Sequence, residues 1–335
     1  MIILNLKNYV KYDIIYLYFK HKGSFVMKER KQIIIDTDPG VDDAIALMYA
    51  FNSDDLDIKL ISSAGGNGPI ENLTANAIFL TELFKKDIPV VEGYGKPLAR
   101  EANYATKAQG KSGLGGYNVN KKKLKQSAIK GEAADVLYQT LKDSSEKVSI
   151  VSIGPMTNLA HLIQKHPDCK KYIKEIIFES GTKEKIYGRP YKSFNVGYDP
   201  EAAEVVLTSG IKLVMIPMEL GHFAYLDKDD IKRVKKANKI GKIFAKMFTK
   251  YRDFHVGNLG AAVHDACAVY YLSHPEYMKT EQAFIDIKYY TTEDGKTFGY
   301  VDTDFTKKPN ATICVDMDIN MFKYDIFDIL ENKLK

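Results

Sequence analysis

The sequence predicts an α/β fold, an open, mostly parallel, Rossmann-like sheet with helices on both faces and the active site at the carboxyl ends of the strands. Two observations carry this. Short apolar, β-branched runs alternate with longer helix-like segments, the pattern of a parallel sheet covered on both sides. Polar or glycine-bearing turns follow those runs in series: Asp36 to Asp43, Gly65-Gly66-Asn67, Ile153-Gly154-Pro155, Glu179-Ser180-Gly181 and Glu219-Leu220-Gly221. Ligands of open α/β sheets bind beyond the carboxyl ends of the strands, so these turns should share one crevice.

Taken in order, residues 1–26 are rich in Tyr, Lys and Ile and have no small-residue cleavage site after an apolar core. That argues against a signal peptide. Met27 is the expected initiator, because Met27 to Gln32 leads straight into the first strand and a Lys22-Gly23-Ser24 triplet could be encoded by a purine-rich ribosome-binding sequence. Residues 1–26 are then an extension and 27–335 a single domain.

Strands are expected at 32–36, 58–63, 89–92, 147–152, 174–178 and 212–216. Ile33 to Ile35 is a stiff strand former that Pro39-Gly40 stops sharply, ahead of a helical run from Asp43 to Phe51. Further helices are expected at 71–86, 132–143, 156–165 and 199–208, several beginning at Asp, Pro or Asn. Residues 100–123, with Gly110, Gly113, Gly115 and Gly116, read as a mobile loop able to close over a pocket. Residues 222–262 read as helical, with Phe244, Phe248, Tyr251 and Phe254 spaced as a core-facing stripe.

With 335 residues, 45% of them hydrophobic, the chain can bury a large core. Its net charge of +5 comes from 48 basic and 43 acidic residues that are interspersed, so Lys121-Lys122-Lys123 reads as a solvated face and no nucleic-acid partner is expected. Cys169, Cys267 and Cys314 are widely spaced and odd in number. They suggest a reducing compartment, a cytoplasmic protein and no thiolate metal site. No segment is long and apolar enough to span a bilayer, so no membrane partner is expected.

The chemistry concentrates at the end of the first strand, where Asp36, Asp38, Asp42 and Asp43 crowd one tip. Like charges this close repel by on the order of several kcal/mol unless a proton or a cation relieves them. Hard carboxylate oxygens suit Ca²⁺ or Mg²⁺. A second acidic element, Val263-His264-Asp265, sits in an apolar, small-residue context. Alone, His264 reads more readily as a hydrogen-bonded core histidine than as a catalyst, and Asp265 as a helix N-cap. In a third, Ser193 to Ala203, Asp199-Pro200-Glu201 is an ordinary helix start, whereas Asn195 offers a side chain that both donates and accepts.

Together these three elements resemble the calcium-dependent nucleoside hydrolases, the inosine-uridine-preferring family that cleaves the N-glycosidic bond of ribonucleosides. The resemblance runs from about Lys31 to the C-terminus. It includes the turn at Asn67, the Gly154 to Ala160 segment and Pro309-Asn310-Ala311-Thr312. It implies a Ca²⁺ ion held by Asp38, Asp43, Asp265 and the backbone carbonyl of Ile153. It further implies Asp38 as general base, His264 as leaving-group acid, and Asp42, Asn67, Asn195 and Asp265 on the sugar hydroxyls, with Asp36 orienting the cluster. The physical logic agrees: bond cleavage develops positive charge on the ribosyl ring, which carboxylates stabilise, and imidazole titrates near the working pH. A small-molecule nucleoside partner, a role in nucleoside salvage and a homodimer or homotetramer are the family's usual attributes.

Three departures bear on substrate recognition. Ser193 stands where the family usually carries an acidic residue for the 5′-hydroxyl, Glu179 where a methionine often packs, and Gln109, beside Lys111, where some members have a loop histidine. Either Glu179 takes over the 5′-hydroxyl, or Lys183, Lys185, Arg189 and Lys192 meet a 5′-phosphate. Arg252 and His255 lie where the family places base-contacting residues. Purine or pyrimidine preference stays open. Competing readings fit less well. A haloacid dehalogenase-type phosphatase expects Thr or Val where Gly40 stands, an EF-hand loop is broken by Pro39-Gly40, and a ribose- or calcium-binding protein without activity has no need for Asp38 and His264.

Overall fold

The computed structural model describes residues 29–184, 189–251 and 259–334. The proposed extension 1–26 and initiator Met27 lie outside the described residues, as do Lys185, Arg252, Phe254 and His255. From Lys31 onward the chain is one compact unit.

Strand β1 (Lys31–Thr37) places Ile33, Ile34 and Ile35 in the core and runs into helix α1 (Val41–Asn52), which is buried almost along its whole length. Then come β2 (Leu56–Ser63), α2 (Ile70–Leu83), β3 (Val90–Glu92), a one-turn helix α3 (Thr106–Gln109), α4 (Ala133–Asp143), β4 (Val148–Ser152), α5 (Thr157–Lys165) and β5 (Ile173–Glu179). The chain continues through α6 (Phe194–Tyr198), α7 (Pro200–Leu207), β6 (Leu213–Ile216) and α8 (Met218–Phe223). All six expected strands are present, within a residue or two at most ends. Residues 222–262 are not one helical stretch. They hold β7 (Leu226–Asp227), α9 (Lys228–Ala237), α10 (Lys239–Phe248) and β8 (Gly260–Ala261), because the Asn238 side chain caps a new helix by accepting from the Gly241 amide. Last come α11 (His264–Ser273), β9 (Met278–Thr291), β10 (Thr297–Asp304), β11 (Ala311–Met317) and α12 (Ile319–Asp328).

Among the described residues the main sheet has the order β10-β9-β11-β6-β5-β4-β1-β2-β3. It is parallel from β11 through β3, while β9 pairs antiparallel with both β11 and β10. Two apolar clusters cover its faces. One centres on α1, α10 and α11, the other on α4, α5 and α7. The chain leaves β1 toward β2 and β3 on one side, then returns to β4 on the other. That reversal opens a crevice at the carboxyl ends of β1 and β4, the switch point where ligands of open sheets bind.

Asp199 fastens this end of the sheet. Its carboxylate caps α7 through the Ala202 amide (3.1 Å) and also accepts from the Leu98 amide (3.0 Å) and the Thr157 hydroxyl (2.6 Å). Removing it leaves a bare helix N-terminus and two unmet donors. Asp199→Ala should therefore lower unfolding free energy by about 1–3 kcal/mol in urea titrations, with Asp199→Asn losing less.

Candidate active site

The tip of β1 concentrates carboxylates in a space that excludes water. Asp36, Asp38, Asp42 and Asp43 are all buried, the most exposed being Asp42 at 7%. One Asp36 oxygen accepts from the Ser62 hydroxyl (2.5 Å) and the Asn158 amide (2.7 Å), while its other oxygen has no hydrogen-bond partner. Asp38 likewise gives one oxygen to the Asn67 backbone N–H (2.7 Å) and leaves the other unmet. Asp43 accepts from Thr37 (2.5 Å), the Gly40 amide (2.9 Å) and the Asn67 side chain (3.0 Å). Gly66 is required here: a Cβ would stand 2.2 Å from the Asp38 carboxylate.

Ligand oxygens of Asp42, Asp43 and Asp265 lie within 4.8 Å of one another, so this group could hold a metal ion. Burial, reinforced by neighbouring negative charge, pushes Asp38 and Asp265 well above the usual carboxylate range. The same burial lifts Asp43 to about 7, with Asp42 adding to it, and Asp36 to about 6 despite its two donors. The donor set is all oxygen and anionic, and beside it one buried oxygen of Asp38 has no hydrogen bond. It suits a hard divalent cation.

The opposite wall comes from the ends of β4, β5 and β6 and the start of α11. Asn195 in α6 donates to the Ile153 carbonyl (3.0 Å), the Glu179 carbonyl (3.2 Å) and the Glu179 carboxylate (3.3 Å). Glu179 is 3.9 Å from His264 Nδ1, close enough to attract the imidazolium but too long for a hydrogen bond. The His222 ring stands edge-on to His264 with centroids 4.8 Å apart. His264 fits because residue 221 is glycine: a Cβ there would meet Nδ1 at 2.1 Å. These walls enclose a cavity of about 560 Å³ lined by Asp42, Asn67, Ile153, Glu179, Asn195, His264 and Asp265.

A family model of inosine-uridine preferring nucleoside hydrolases matches residues 33–324. The chain belongs to that family. It is a hydrolase that cleaves the N-glycosidic bond of ribonucleosides. It is 36% identical over 313 residues to the pyrimidine-specific ribonucleoside hydrolase RihA of Salmonella schwarzengrund, covering 90% of this chain and 98% of that protein. The RihA of Salmonella agona matches equally. Among solved structures, the plant nucleoside hydrolase PpNRh1 superposes with a TM-score of 0.78 at 26% identity over 90% of this chain and 99% of its own. The purine-preferring ribonucleoside hydrolase of Gardnerella vaginalis, at 24% identity and a TM-score of 0.79, covers 91% and 99% and shares the fold.

Within this nucleoside hydrolase, the expected metal, sugar and acid residues Asp36, Asp38, Asp42, Asp43, Asn67, Ile153, Glu179, Asn195, His264 and Asp265 lie at this end of the sheet. Asp38 stands beside the carboxylate trio with one oxygen turned to Asn67, and Asp36 lies behind it against Ser62 and Asn158. Ser193 is turned away from the cavity into a hydrogen bond with Ser180 (2.6 Å). The described members of the basic cluster do not gather at the cavity. Lys183 donates to the Val315 carbonyl, Arg189 is exposed, and of the described members of that cluster only Lys192 lines the cavity. Segment 100–123 forms a wall of the cavity from Asn103 to Gln109 rather than a detached flap. The sequence reading missed Tyr104, Tyr191, Phe194 and Met218 in the lining, and it assigned Tyr251 to the core although it also faces the cavity. Aromatic spacing distinguishes a buried side from an exposed one, not a core from a pocket.

These shifts have a sign. Asp36 and Asp43 hold protons more tightly folded than at the ordinary value of 3.8, so ionising them as pH rises from about 4 through about 7 removes stability. In a chelator, Asp43→Asn should therefore lose less melting temperature than wild type between pH 5 and pH 7.5. Equal slopes would contradict the buried-acid account.

Proposed function

We propose that the cavity binds a pyrimidine ribonucleoside, with its ribose hydroxyls on Asp42, Asn67, Asn195 and Asp265 and its base toward His264. The observation that carries this reading is the carboxylate trio of Asp42, Asp43 and Asp265, of which Asp42 and Asp265 line a nucleoside-sized cavity. The pyrimidine assignment is supported by 36% identity to enzymes named pyrimidine-specific.

Asp38, Asp43, Asp265 and the Ile153 carbonyl would hold Ca²⁺. Bound there, the ion offsets the buried negative charge and lowers the pKa of water. Asp38 has a buried oxygen with no hydrogen bond, suited to removing a proton from the attacking water. Asp36, linked to Ser62 and Asn158, holds the end of β1 in place behind it. The carboxylates surrounding the sugar stabilise the cationic ribosyl ring as the bond lengthens. His264 delivers a proton to the departing base.

Glu179 takes the 5′-hydroxyl. It lines the cavity while Ser193, at the family's usual position for that contact, is buried against Ser180. A carboxylate at that end repels a 5′-phosphate, and of the described members of the basic cluster only Lys192 lines the cavity.

Reducing-sugar release from uridine, cytidine, inosine and UMP tests the proposal. Uridine and cytidine should be cleaved faster than inosine, with no detectable release from UMP. His264→Ala should lower kcat by roughly two to four orders of magnitude. Inosine cleaved fastest overturns the base assignment, UMP hydrolysis overturns the role of Glu179, and unchanged turnover removes His264 from the mechanism.

A further inference from the structure

Gln109 makes two hydrogen bonds that are the reverse of each other in polarity. Its side-chain carbonyl accepts from the backbone N–H of Val41, the first residue of α1, at 2.9 Å. Its side-chain amide donates to the Asp42 carboxylate, also at 2.9 Å. Only one orientation of the side chain satisfies both, because Val41 N–H can only donate and an ionised carboxylate can only accept. The side chain is 5% exposed.

The backbone behind Gln109 is fixed with equal care. Its amide hydrogen-bonds the Ala105 carbonyl (2.9 Å), and its carbonyl accepts from Gly115 (2.7 Å). Gly110, Gly113 and Gly115 have positive φ, which lets the chain turn tightly straight after Gln109. Asn76 of α2 ties the turn to the β1 tip by donating to both Pro39 (3.0 Å) and Ser112 (2.9 Å) carbonyls. Gly116 donates to the Met247 carbonyl of α10 (3.2 Å). The turn thus presents one polar side chain, with no freedom of orientation, to one carboxylate.

That carboxylate is repelled by its neighbours. Carboxylate oxygens of Asp42, Asp43 and Asp265 lie within 4.8 Å of one another, and the like charge of the other two favours rotation of Asp42 away from them. We propose that Gln109 is a positioning residue for hydrolysis: it binds one oxygen of Asp42 and so turns the carboxylate toward the ribose. This rests on the reading that Asp42 contacts the sugar. A glutamine suits the task because it donates and accepts at once and, unlike a histidine, keeps that polarity across the pH range.

A double-mutant cycle separates this role from structural support and from direct contact with substrate. Wild type, Gln109→Met, Asp42→Ala and the double variant are compared for kcat/KM on uridine and for calorimetric binding of ribose in Ca²⁺. Gln109→Met keeps the length of the side chain and removes its polarity. It should lower kcat/KM by roughly tenfold or more in the wild-type background and by less than about twofold in the Asp42→Ala background. Gln109→Glu, similar in shape but repelling Asp42, should lose more than Gln109→Met. If Asp42→Ala turns over too slowly to measure, the ribose-binding cycle gives the same comparison. The same fold loss in both backgrounds, or no loss in wild type, overturns the proposal. A wild-type enzyme inactive on every nucleoside would instead overturn the functional reading beneath it.

Discussion

The constraint on which the site depends is the confinement of several carboxylates at the end of one buried strand. Little of their surface reaches water, and the start of α11 brings Asp265 against them as well. Burial raises the proton affinity of Asp36, Asp38, Asp43 and Asp265, and repulsion between neighbouring carboxylates adds to it at Asp38, Asp43 and Asp265. A fold that kept such a cluster for stability alone would be better served by apolar residues. The cluster makes sense as the anionic half of a cation–sugar site.

Topology brings the other half. Because the strand order reverses between β1 and β4, Asp38 and Ile153 follow neighbouring parallel strands although more than a hundred residues separate them. β5 then delivers Glu179, β6 leads into α8 with Gly221 and His222, and α11 starts with His264-Asp265. Glycine permits the closest approaches: Gly66 to the Asp38 carboxylate and Gly221 to the His264 ring.

Much of this was legible in the sequence, for identifiable reasons. The parallel strands are short, continuous β-branched runs because both faces of the sheet are covered, and such runs stand out from amphipathic helices. The C-terminal strands β9 to β11 were not read. In β9, for instance, Met278 to Gln282 and Lys288 to Thr291 mix charged and polar residues with apolar ones, so charged and polar residues flank the Ala283 to Ile285 run on both sides. The break at Asn238 was hidden because α9 and α10 are both lysine-rich and helical, and only a cap separates them. The acids were recognisable from their spacing. The state of Ser193 was not, since a serine in a loop gives no sign of facing Ser180 rather than the cavity. Gln109 likewise appeared only as a departure from a family histidine, because its two partners lie almost seventy residues upstream.

The most direct test of the account is calorimetric titration of Ca²⁺ into metal-stripped protein near pH 6.5, repeated in buffers of different ionisation enthalpy. Carboxyl groups that carry protons only because they are crowded must release them when the cation binds. The account predicts one Ca²⁺ per chain, with a heat that varies with the buffer and so reports proton release, and loss of binding in Asp265→Asn. Binding with no buffer dependence, or no binding at all, would contradict it.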